Sequence, residues 1–327
     1  MHQNIPDPRQ IGRAAEQIKK SKQPIIISGG GVLYSEAETE LSEFAKKHNI
    51  PVTPTVMGIG CMDRDDPYYI GAIGCLGEGS SNSLSKDTDM ALAVGTKLGD
   101  FTTGSWSNFH NPDFQLVSIN TSRFDVTKHR ATPVISDAKI GLKQLSDALG
   151  DWKAPDTWYQ RSIKERNEWD AYVKKQSGPT NQELPSYAHA VGAVYRNADP
   201  SDIVVTAAGG LVGEVVQIWK PKQINTFETE WGFSCMGYEI SGALGMKIAK
   251  PDKDIIVFIG DGSYLLQNSD IYSSVIYDKK LIIVVCDNSG HMVINRLQLA
   301  KGGKEYLCGL KTSRASNFVE VDFAAHA

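Results

Sequence analysis

The sequence predicts an α/β protein built from two domains, each containing a doubly wound parallel sheet. Short apolar runs alternate with helical patterns through the first 150 residues, and the same alternation begins again after residue 180. Alternation of this kind is typical of a parallel sheet that is covered by helices on both faces. A length of 327 residues also fits two domains of roughly 100–200 residues each.

Apolar runs in the first half predict strands, and periodic segments between them predict helices. The run PIIISGGG at 24–31 indicates a buried strand that leads into a glycine turn. Small and apolar residues recur at helical spacing within 36–48. The other predicted elements are strands at 51–56, 90–95, 114–120 and 133–136 and a helix at 139–149. We assign residues 1–150 to a central α/β domain.

Residues 151–182 form a predicted helical linker between the domains. They are rich in charge and in tryptophan, and they contain no strand-like run. A partner-binding surface is an alternative interpretation of the part at 152–172. A helix packed at the domain boundary fits this composition better.

The second domain, residues 183–327, repeats the pattern of strands and helices. Its predicted elements are helices at 186–198, 236–249 and 269–277 and strands at 202–206, 254–259 and 281–286. Doubly wound sheets bind ligands beyond the carboxyl ends of their strands, so we expect the functional site there. The final residues, VDFAAHA, read as the start of an amphipathic helix, and we expect the domain to be truncated at this end.

Charge and cysteine content argue against several classes of partner. The formal net charge is -4, with both signs interspersed, whereas nucleic-acid grooves and anionic membrane surfaces favour a basic patch. The sequence has no signal-peptide pattern and no apolar stretch near the ~20 residues of a membrane span. Five cysteines without a C-x-x-C pair indicate free thiols in a reducing compartment. We therefore expect a cytoplasmic protein that binds neither nucleic acid nor membrane.

The segment 254–290 contains the residues with the most specific chemistry. It is a strand–helix–strand unit in which GDGS leaves the first strand and DNSG leaves the second, with Asp261 and Asn288 separated by 27 positions. Neighbouring parallel strands open their following loops at the same edge of the sheet. Mg²⁺ prefers oxygen ligands, with few carboxylates, alongside phosphate and water. This edge therefore predicts a site for Mg²⁺ and a diphosphate, with Asp261, Asn288 and the Gly290 carbonyl as metal ligands.

Two glycine-rich turns also have simpler explanations. Asp-Gly is a common turn dipeptide, so GDGS alone indicates little. The second polar loop, which follows a strand at a suitable distance, favours the ligand site. SGGG at 28–31 lacks the G-x-G-x-x-G spacing of dinucleotide-binding turns. We therefore predict no bound nucleotide in the first domain.

On these two loops, the chain resembles thiamine-diphosphate (ThDP)-dependent enzymes of the acetolactate synthase-like group. The likeness extends over nearly the whole chain. It implies ThDP and Mg²⁺ as cofactors, with Asp261, Asn288 and the Gly290 carbonyl on the metal. It also implies that Gly262 and Ser263 contact the diphosphate.

The resemblance assigns roles to two further segments. In WGFSCMGYEISGALG at 231–245, it implies that Met236 holds the cofactor bent and that the Ser234 carbonyl receives its 4′-amino group. A core methionine is the alternative for Met236. Ala208 and Gly209 of the AAGG turn would belong to another loop that faces the diphosphate, and an ordinary strand-to-helix turn is the alternative there.

Within this group, the chain is most similar to hydrolases that open a cyclic 1,2-diketone in inositol catabolism. The segments that carry the likeness are 100–109, 118–129, 233–245 and 287–298. It implies cleavage of a C–C bond by water to give 5-deoxyglucuronate from a small cyclic diketone. The alternatives are a ThDP-dependent decarboxylase or carboligase, a module that binds Mg-ThDP or a partner without catalysis, and a flavin- or NAD-binding protein.

The resemblance also implies a domain for which this sequence has no counterpart. Members of the group begin with a pyrimidine-binding domain whose glutamate activates the cofactor. We therefore expect this chain to be a fragment, inactive unless another chain supplies that domain. Because the family cofactor lies between two subunits, the resemblance implies a homo-oligomer.

Two more residues near these segments have competing interpretations. His291 directly follows the predicted metal loop and is a candidate catalytic acid or base, since histidine titrates near neutral pH. A residue of a surface loop is the alternative. Cys235 lies beside the cofactor segment, and we assign it to packing because no nucleophile constellation surrounds it.

Overall fold

The computed structural model describes residues 4–310 and 320–327. It divides into two units, Met1–Gln176 with Lys220–Asn225 and Ser177–Trp219 with Thr226–Ala327. Each unit contains one parallel sheet, which confirms the predicted fold class. Within the described residues, no helix is long and apolar enough to cross a membrane.

Five strands form the sheet of the first unit: β1 (Pro24–Ser28), β2 (Val52–Pro54), β3 (Met90–Val94), β4 (Gln115–Asn120) and β5 (Thr132–Ile135). They are parallel and lie in the order β2-β1-β3-β4-β5. The two strands β1 and β3 are buried along their whole length, as a sheet covered on both faces requires. The apolar runs therefore predicted all five strands.

The helices of the first unit are α1 (Pro8–Lys20), α2 (Gly30–Tyr34), α3 (Glu38–His48), α4 (Gly79–Asp87), α5 (Asp100–Thr103), α6 (Arg123–Val126), α7 (Ala138–Leu149) and α8 (Asp156–Gln176). Helix α8 lies in the segment predicted to be a helical linker. The indole nitrogen of its Trp158 donates to the Pro24 carbonyl at 2.8 Å, which fixes the helix to β1.

His48 is a buried titratable residue at the end of α3. Its Nδ1 contacts the Trp152 carbonyl at 2.8 Å, and its Nε2 contacts the Ser146 hydroxyl at 2.9 Å. Burial is the main cause that lowers the pKa of His48 below its ordinary value of 6.5. The unfolded chain consequently binds this proton more readily than the folded chain.

We expect the free energy of unfolding to fall as the pH drops below about 6.5, because the unfolded state then gains the His48 proton. The decrease should be smaller in His48→Gln, which cannot take up that proton. Urea unfolding at about pH 7.5 and about pH 5.5 measures the difference. Equal pH dependence in the two proteins would contradict this assignment.

The sheet of the second unit contains β6 (Ile203–Thr206), β7 (Phe227–Thr229), β8 (Ile255–Gly260) and β9 (Ile282–Cys286). These strands are parallel and lie in the order β7-β6-β8-β9. Strands β6, β8 and β9 were predicted from their apolar runs, whereas β7 was not. Strand β7 has only three residues, with a glutamate in the middle, and such a pattern is too short to indicate a strand.

The helices of the second unit are α9 (Tyr187–Asn197), α10 (Leu211–Ile218), α11 (Tyr238–Ala249), α12 (Asp261–Leu266), α13 (Ser269–Ile276), α14 (Met292–Ala300) and α15 (Phe323–His326). The prediction started α11 at Met236, two residues too early. Gly237 has a φ of +94°, a left-handed conformation that separates the preceding loop from the helix. Met236 therefore lies in the loop.

Candidate cofactor site at the ends of two parallel strands

Strands β8 and β9 are parallel neighbours, and their carboxyl ends open at one edge of the second sheet. Gly260 at the end of β8 pairs with Cys286 at the end of β9. Asp261 begins α12 directly after Gly260, and the loop from Asp287 follows β9. The two polar loops therefore meet at one edge, where doubly wound sheets bind ligands.

The Asp261 carboxylate is buried between these loops, with 2% of the residue exposed. Its Oδ2 accepts a hydrogen bond from the Gly290 backbone nitrogen at 2.7 Å. Burial raises the pKa of Asp261 and the nearby Asp287 carboxylate raises it further, against the lowering effect of hydrogen bonds from Gly262 and Gly290. A bound cation would favour the charged carboxylate and offset this cost.

Asn288 presents an amide with one end hydrogen-bonded and the other end free. Its Nδ2 donates to the Tyr187 hydroxyl oxygen, whereas its Oδ1 is buried without a hydrogen-bond partner. Leaving a buried acceptor unsatisfied costs about 1–3 kcal/mol. Because an amide oxygen is a good Mg²⁺ ligand, a cation here would account for the free oxygen. The residues at this edge therefore fit a magnesium ion.

Gly290 has a backbone conformation that favours glycine. Its φ is +151°, and a Cβ added at this position would lie 2.2 Å from the Cys308 carbonyl oxygen. Two backbone hydrogen bonds of 2.8 Å join this loop to the segment 308–310. The segment 308–310 therefore holds in place the loop that contains the predicted metal ligands Asn288 and Gly290.

The predicted ligand set combines a carboxylate, an amide oxygen and a backbone carbonyl. Within residues 4–310 and 320–327, no three His, Cys, Asp or Glu side chains are grouped to hold a metal ion. A magnesium site does not need such a group, since Mg²⁺ usually takes one or two carboxylates together with phosphate and water.

Three predicted site residues meet at the first turn of α12. A Cβ added to Gly262 would lie 2.7 Å from His291 Nδ1 and 3.6 Å from Met236 Cε. The imidazole therefore packs against the Gly262 backbone, and a side chain at position 262 would displace it. Ser263 follows and is 5% exposed. Met236 is 37% exposed, so the thioether lies at the open side of the turn rather than in a core.

Two other loops of the second unit are joined by Glu239, which is fully buried. Its Oε1 accepts from the Ala208 nitrogen at 3.2 Å, and its Oε2 accepts from the Gly237 nitrogen at 2.9 Å. The Ser234 hydroxyl donates to the Ala207 carbonyl at 3.2 Å. The AAGG turn and the segment before α11 are therefore held together, with burial raising the pKa of Glu239.

The predicted residues thus fall into two groups. Asp261 and Gly290 are linked directly, and Asn288 belongs to the same loop as Gly290. Ala208 and Ser234 belong to the second group, as does Gly209, whose φ is +79° with open space around it. Met236 is close to both groups, because it follows Ser234 in the sequence and approaches Gly262 in space.

Tyr187 and Glu239 were not predicted from the sequence, and the prediction that Cys235 is a packing residue was wrong. Glu239 had a local signal, since it is a charged residue in a segment of small and apolar residues. Tyr187 had none, because its partner lies 101 positions away. Cys235 is exposed rather than packed. Its backbone nitrogen donates to Glu230 Oε2 at 2.7 Å, which holds the segment at the surface.

Two family models match this chain. The central domain of thiamine pyrophosphate enzymes matches residues 11–145, and their C-terminal TPP-binding domain matches residues 207–327. The chain belongs to the thiamine pyrophosphate (ThDP) enzyme family. The β8–β9 edge lies within its TPP-binding domain.

Several curated relatives are similar to this ThDP-family chain over its whole length. A Bacillus anthracis protein is 32% identical over 100% of this chain and 55% of its own. A Lacticaseibacillus casei protein is 34% identical, and the match covers 98% of this chain and 53% of the relative. A Clostridium tetani protein is 36% identical, and the match covers 98% of this chain and 55% of the relative. All three are named 3D-(3,5/4)-trihydroxycyclohexane-1,2-dione hydrolase. The chain spans about half the length of these relatives.

Proposed function

We propose that this protein takes part in the ThDP- and Mg²⁺-dependent hydrolysis of a C–C bond in 3D-(3,5/4)-trihydroxycyclohexane-1,2-dione, a step of inositol catabolism. The observation that carries the proposal is the free, buried Asn288 Oδ1 at the same sheet edge as the buried Asp261 carboxylate. The names of the relatives support the substrate. The five free thiols fit a reducing compartment such as the cytoplasm.

The proposed metal ligands are the Asp261 carboxylate, Asn288 Oδ1 and the Gly290 carbonyl, with phosphate oxygens and water as the remaining ligands. Gly262 and Ser263 would contact the diphosphate, and a side chain at position 262 would displace the His291 imidazole. When bound, ThDP supplies a carbon nucleophile and an electron sink for cleaving a bond beside a carbonyl.

The second pair of loops is proposed to orient the organic part of the cofactor. Met236 would support its bent conformation from beside Gly262, where its Cε already lies. The Ser234 carbonyl would accept the 4′-amino group, and Ala208 and Gly209 would face the diphosphate. Glu239 fixes both loops through two backbone hydrogen bonds and thereby sets the distance between these contacts.

The reaction consumes one water molecule and is balanced without an oxidant. The ring C–C bond breaks, one carbon becomes a carboxylate and the other takes a hydrogen, giving 5-deoxyglucuronate. We propose His291 as the group that holds or moves a proton during this step, because its imidazole lies beside Gly262 on the exposed side of the site.

We expect His291→Gln to lower kcat by on the order of 100-fold, because positioned proton transfer contributes that much to many reactions. Affinity for ThDP should stay within about twofold, since the imidazole is not a proposed metal ligand. Steady-state kinetics and calorimetric titration separate these quantities. A variant with unchanged kcat would remove His291 from the mechanism.

Products decide the reaction class. The experiment incubates the protein, isolated as the complete assembly from the cells that make it, with the cyclic diketone, ThDP and Mg²⁺. Formation of 5-deoxyglucuronate without CO₂ supports the proposal. Release of CO₂ or joining of two substrates would indicate a decarboxylase or carboligase instead. Binding of Mg-ThDP without any product would indicate a binding role.

We further propose a homo-oligomer in which the cofactor lies at a subunit interface. Segments that contain or directly follow site residues expose large apolar side chains: Phe233 is 92% exposed, Leu266 63% and Ile294 47%. Apolar surface of this kind marks interaction sites. Sedimentation with and without Mg-ThDP tests the proposal, and a monomer under both conditions would contradict it.

A further inference from the structure

Tyr187 contacts the candidate metal site from an element outside the β8–β9 loops. It is the first residue of α9, and the turn is fixed by a capping box in which Ser186 Oγ accepts from the His189 nitrogen at 3.3 Å and the Ser186 nitrogen donates to His189 Nδ1 at 3.2 Å. Its hydroxyl oxygen accepts a hydrogen bond from Asn288 Nδ2. The tyrosine is therefore held at a defined position beside the amide.

An asparagine amide binds a cation in only one of its two orientations. The oxygen must face the cation, because the NH₂ group is a donor and has no acceptor capacity. The NH₂ group then faces away from the cation and needs an acceptor of its own if it is buried. At Asn288 this acceptor is the hydroxyl oxygen of Tyr187, while Oδ1 is left free and buried.

We propose that Tyr187 is a positioning residue that orients the Asn288 amide with its oxygen toward the metal. The inference rests on the proposed Mg-ThDP site.

Removing the hydroxyl leaves the amide without this restraint and leaves Nδ2 without its acceptor. Partners that orient a metal ligand typically contribute 10–100-fold to metal affinity. We therefore expect Tyr187→Phe to raise the Mg²⁺ concentration needed for half-maximal ThDP binding by about 10-fold. At saturating Mg²⁺, the affinity for ThDP should be close to that of the wild type.

The test is calorimetric titration of ThDP into the complete protein over a series of Mg²⁺ concentrations. Tyr272→Phe is the matched control, because this tyrosine of α13 is 71% exposed and loses the same hydroxyl from the protein surface. Asn288→Ala and the double variant complete a mutant cycle. If Tyr187 acts through Asn288, its replacement has no further effect in the Asn288→Ala background.

The outcomes separate the inference from the proposed function. Wild-type binding that does not depend on Mg²⁺ would overturn both. Mg²⁺-dependent wild-type binding with an unchanged Tyr187→Phe curve would overturn only the positioning role. Additive effects of Tyr187→Phe and Asn288→Ala on ThDP binding would also overturn only the positioning role. In that case the effect of Tyr187 would persist without Asn288 and would be a general structural one.

Discussion

Replacing Asp261 by alanine is expected to lower the affinity of the protein for ThDP in the presence of Mg²⁺ by at least about 100-fold. The substitution removes the only carboxylate of the proposed ligand set. We expect its contribution to affinity to exceed the 10–100-fold contribution of groups that only orient a metal ligand. Asp261→Asn should have a comparable effect on binding, because it keeps the shape but removes the charge.

Asp261→Asn should not lower the free energy of unfolding of the cofactor-free protein. Burial raises the pKa of Asp261, which means that the charged carboxylate is unfavourable there when no cation is present. We therefore expect Asp261→Asn to be at least as stable as the wild type in urea without cofactor. Loss of binding in a fully folded variant would identify a ligand rather than a structural residue.

Asp278→Asn is the matched control for this experiment. Asp278 is an exposed residue between α13 and β9, at the opposite edge of the sheet. Its φ of +50° is a conformation that asparagine tolerates well. Calorimetry should show unchanged binding in this variant. Retained affinity for ThDP in Asp261→Ala would refute the proposed metal site.

The largest effect on stability is expected from Glu78 in the first unit. Its Oε2 accepts from the Arg64 guanidinium at 2.5 Å, with both side chains at most 3% exposed. Its Oε1 accepts from the Ala72 nitrogen at 3.1 Å. We expect Glu78→Ala to lower the free energy of unfolding of this unit by about 3–5 kcal/mol, because it leaves the buried guanidinium without its main partner.

Urea unfolding measures this loss of stability, and hydrogen exchange of the β1 and β3 amides assigns it to the first unit. Glu168→Ala is the control, since Glu168 pairs with Lys164 at 3.8 Å while both side chains are more than half exposed. Exposed pairs of this kind contribute little to stability. A loss in Glu78→Ala no larger than in the control would show that Arg64 finds another partner.

The sequence predicted strands better than helices, for a physical reason. Strands β1 and β3 are continuous apolar runs whose burial is determined by their own residues. Helix α4 has the sequence GSSNSLSKD, which is typical of a loop. It is helical because buried serines bond to neighbouring carbonyls, as Ser80 Oγ does to the Ile70 oxygen at 2.7 Å. Such tertiary contacts cannot be read from local periodicity.

Prediction of the candidate site has a similar limit. Asp261 and Asn288 were found because each directly follows a strand of one strand–helix–strand unit, whose geometry places both loops at one edge. Tyr187 and Glu239 were missed because they act through contacts 101 and 31 positions away along the chain. Neither contact follows from the spacing within any single motif.

The most direct measurement is a crystal structure of the protein with Mg²⁺ and ThDP. The proposal predicts a metal ion about 2.0–2.1 Å from an Asp261 carboxylate oxygen, Asn288 Oδ1 and the Gly290 carbonyl oxygen, with diphosphate oxygens completing the coordination. Asn288 Nδ2 should remain on the Tyr187 hydroxyl. A metal ion bound elsewhere, or a diphosphate away from the β8–β9 edge, would contradict the assignment of this edge as the cofactor site.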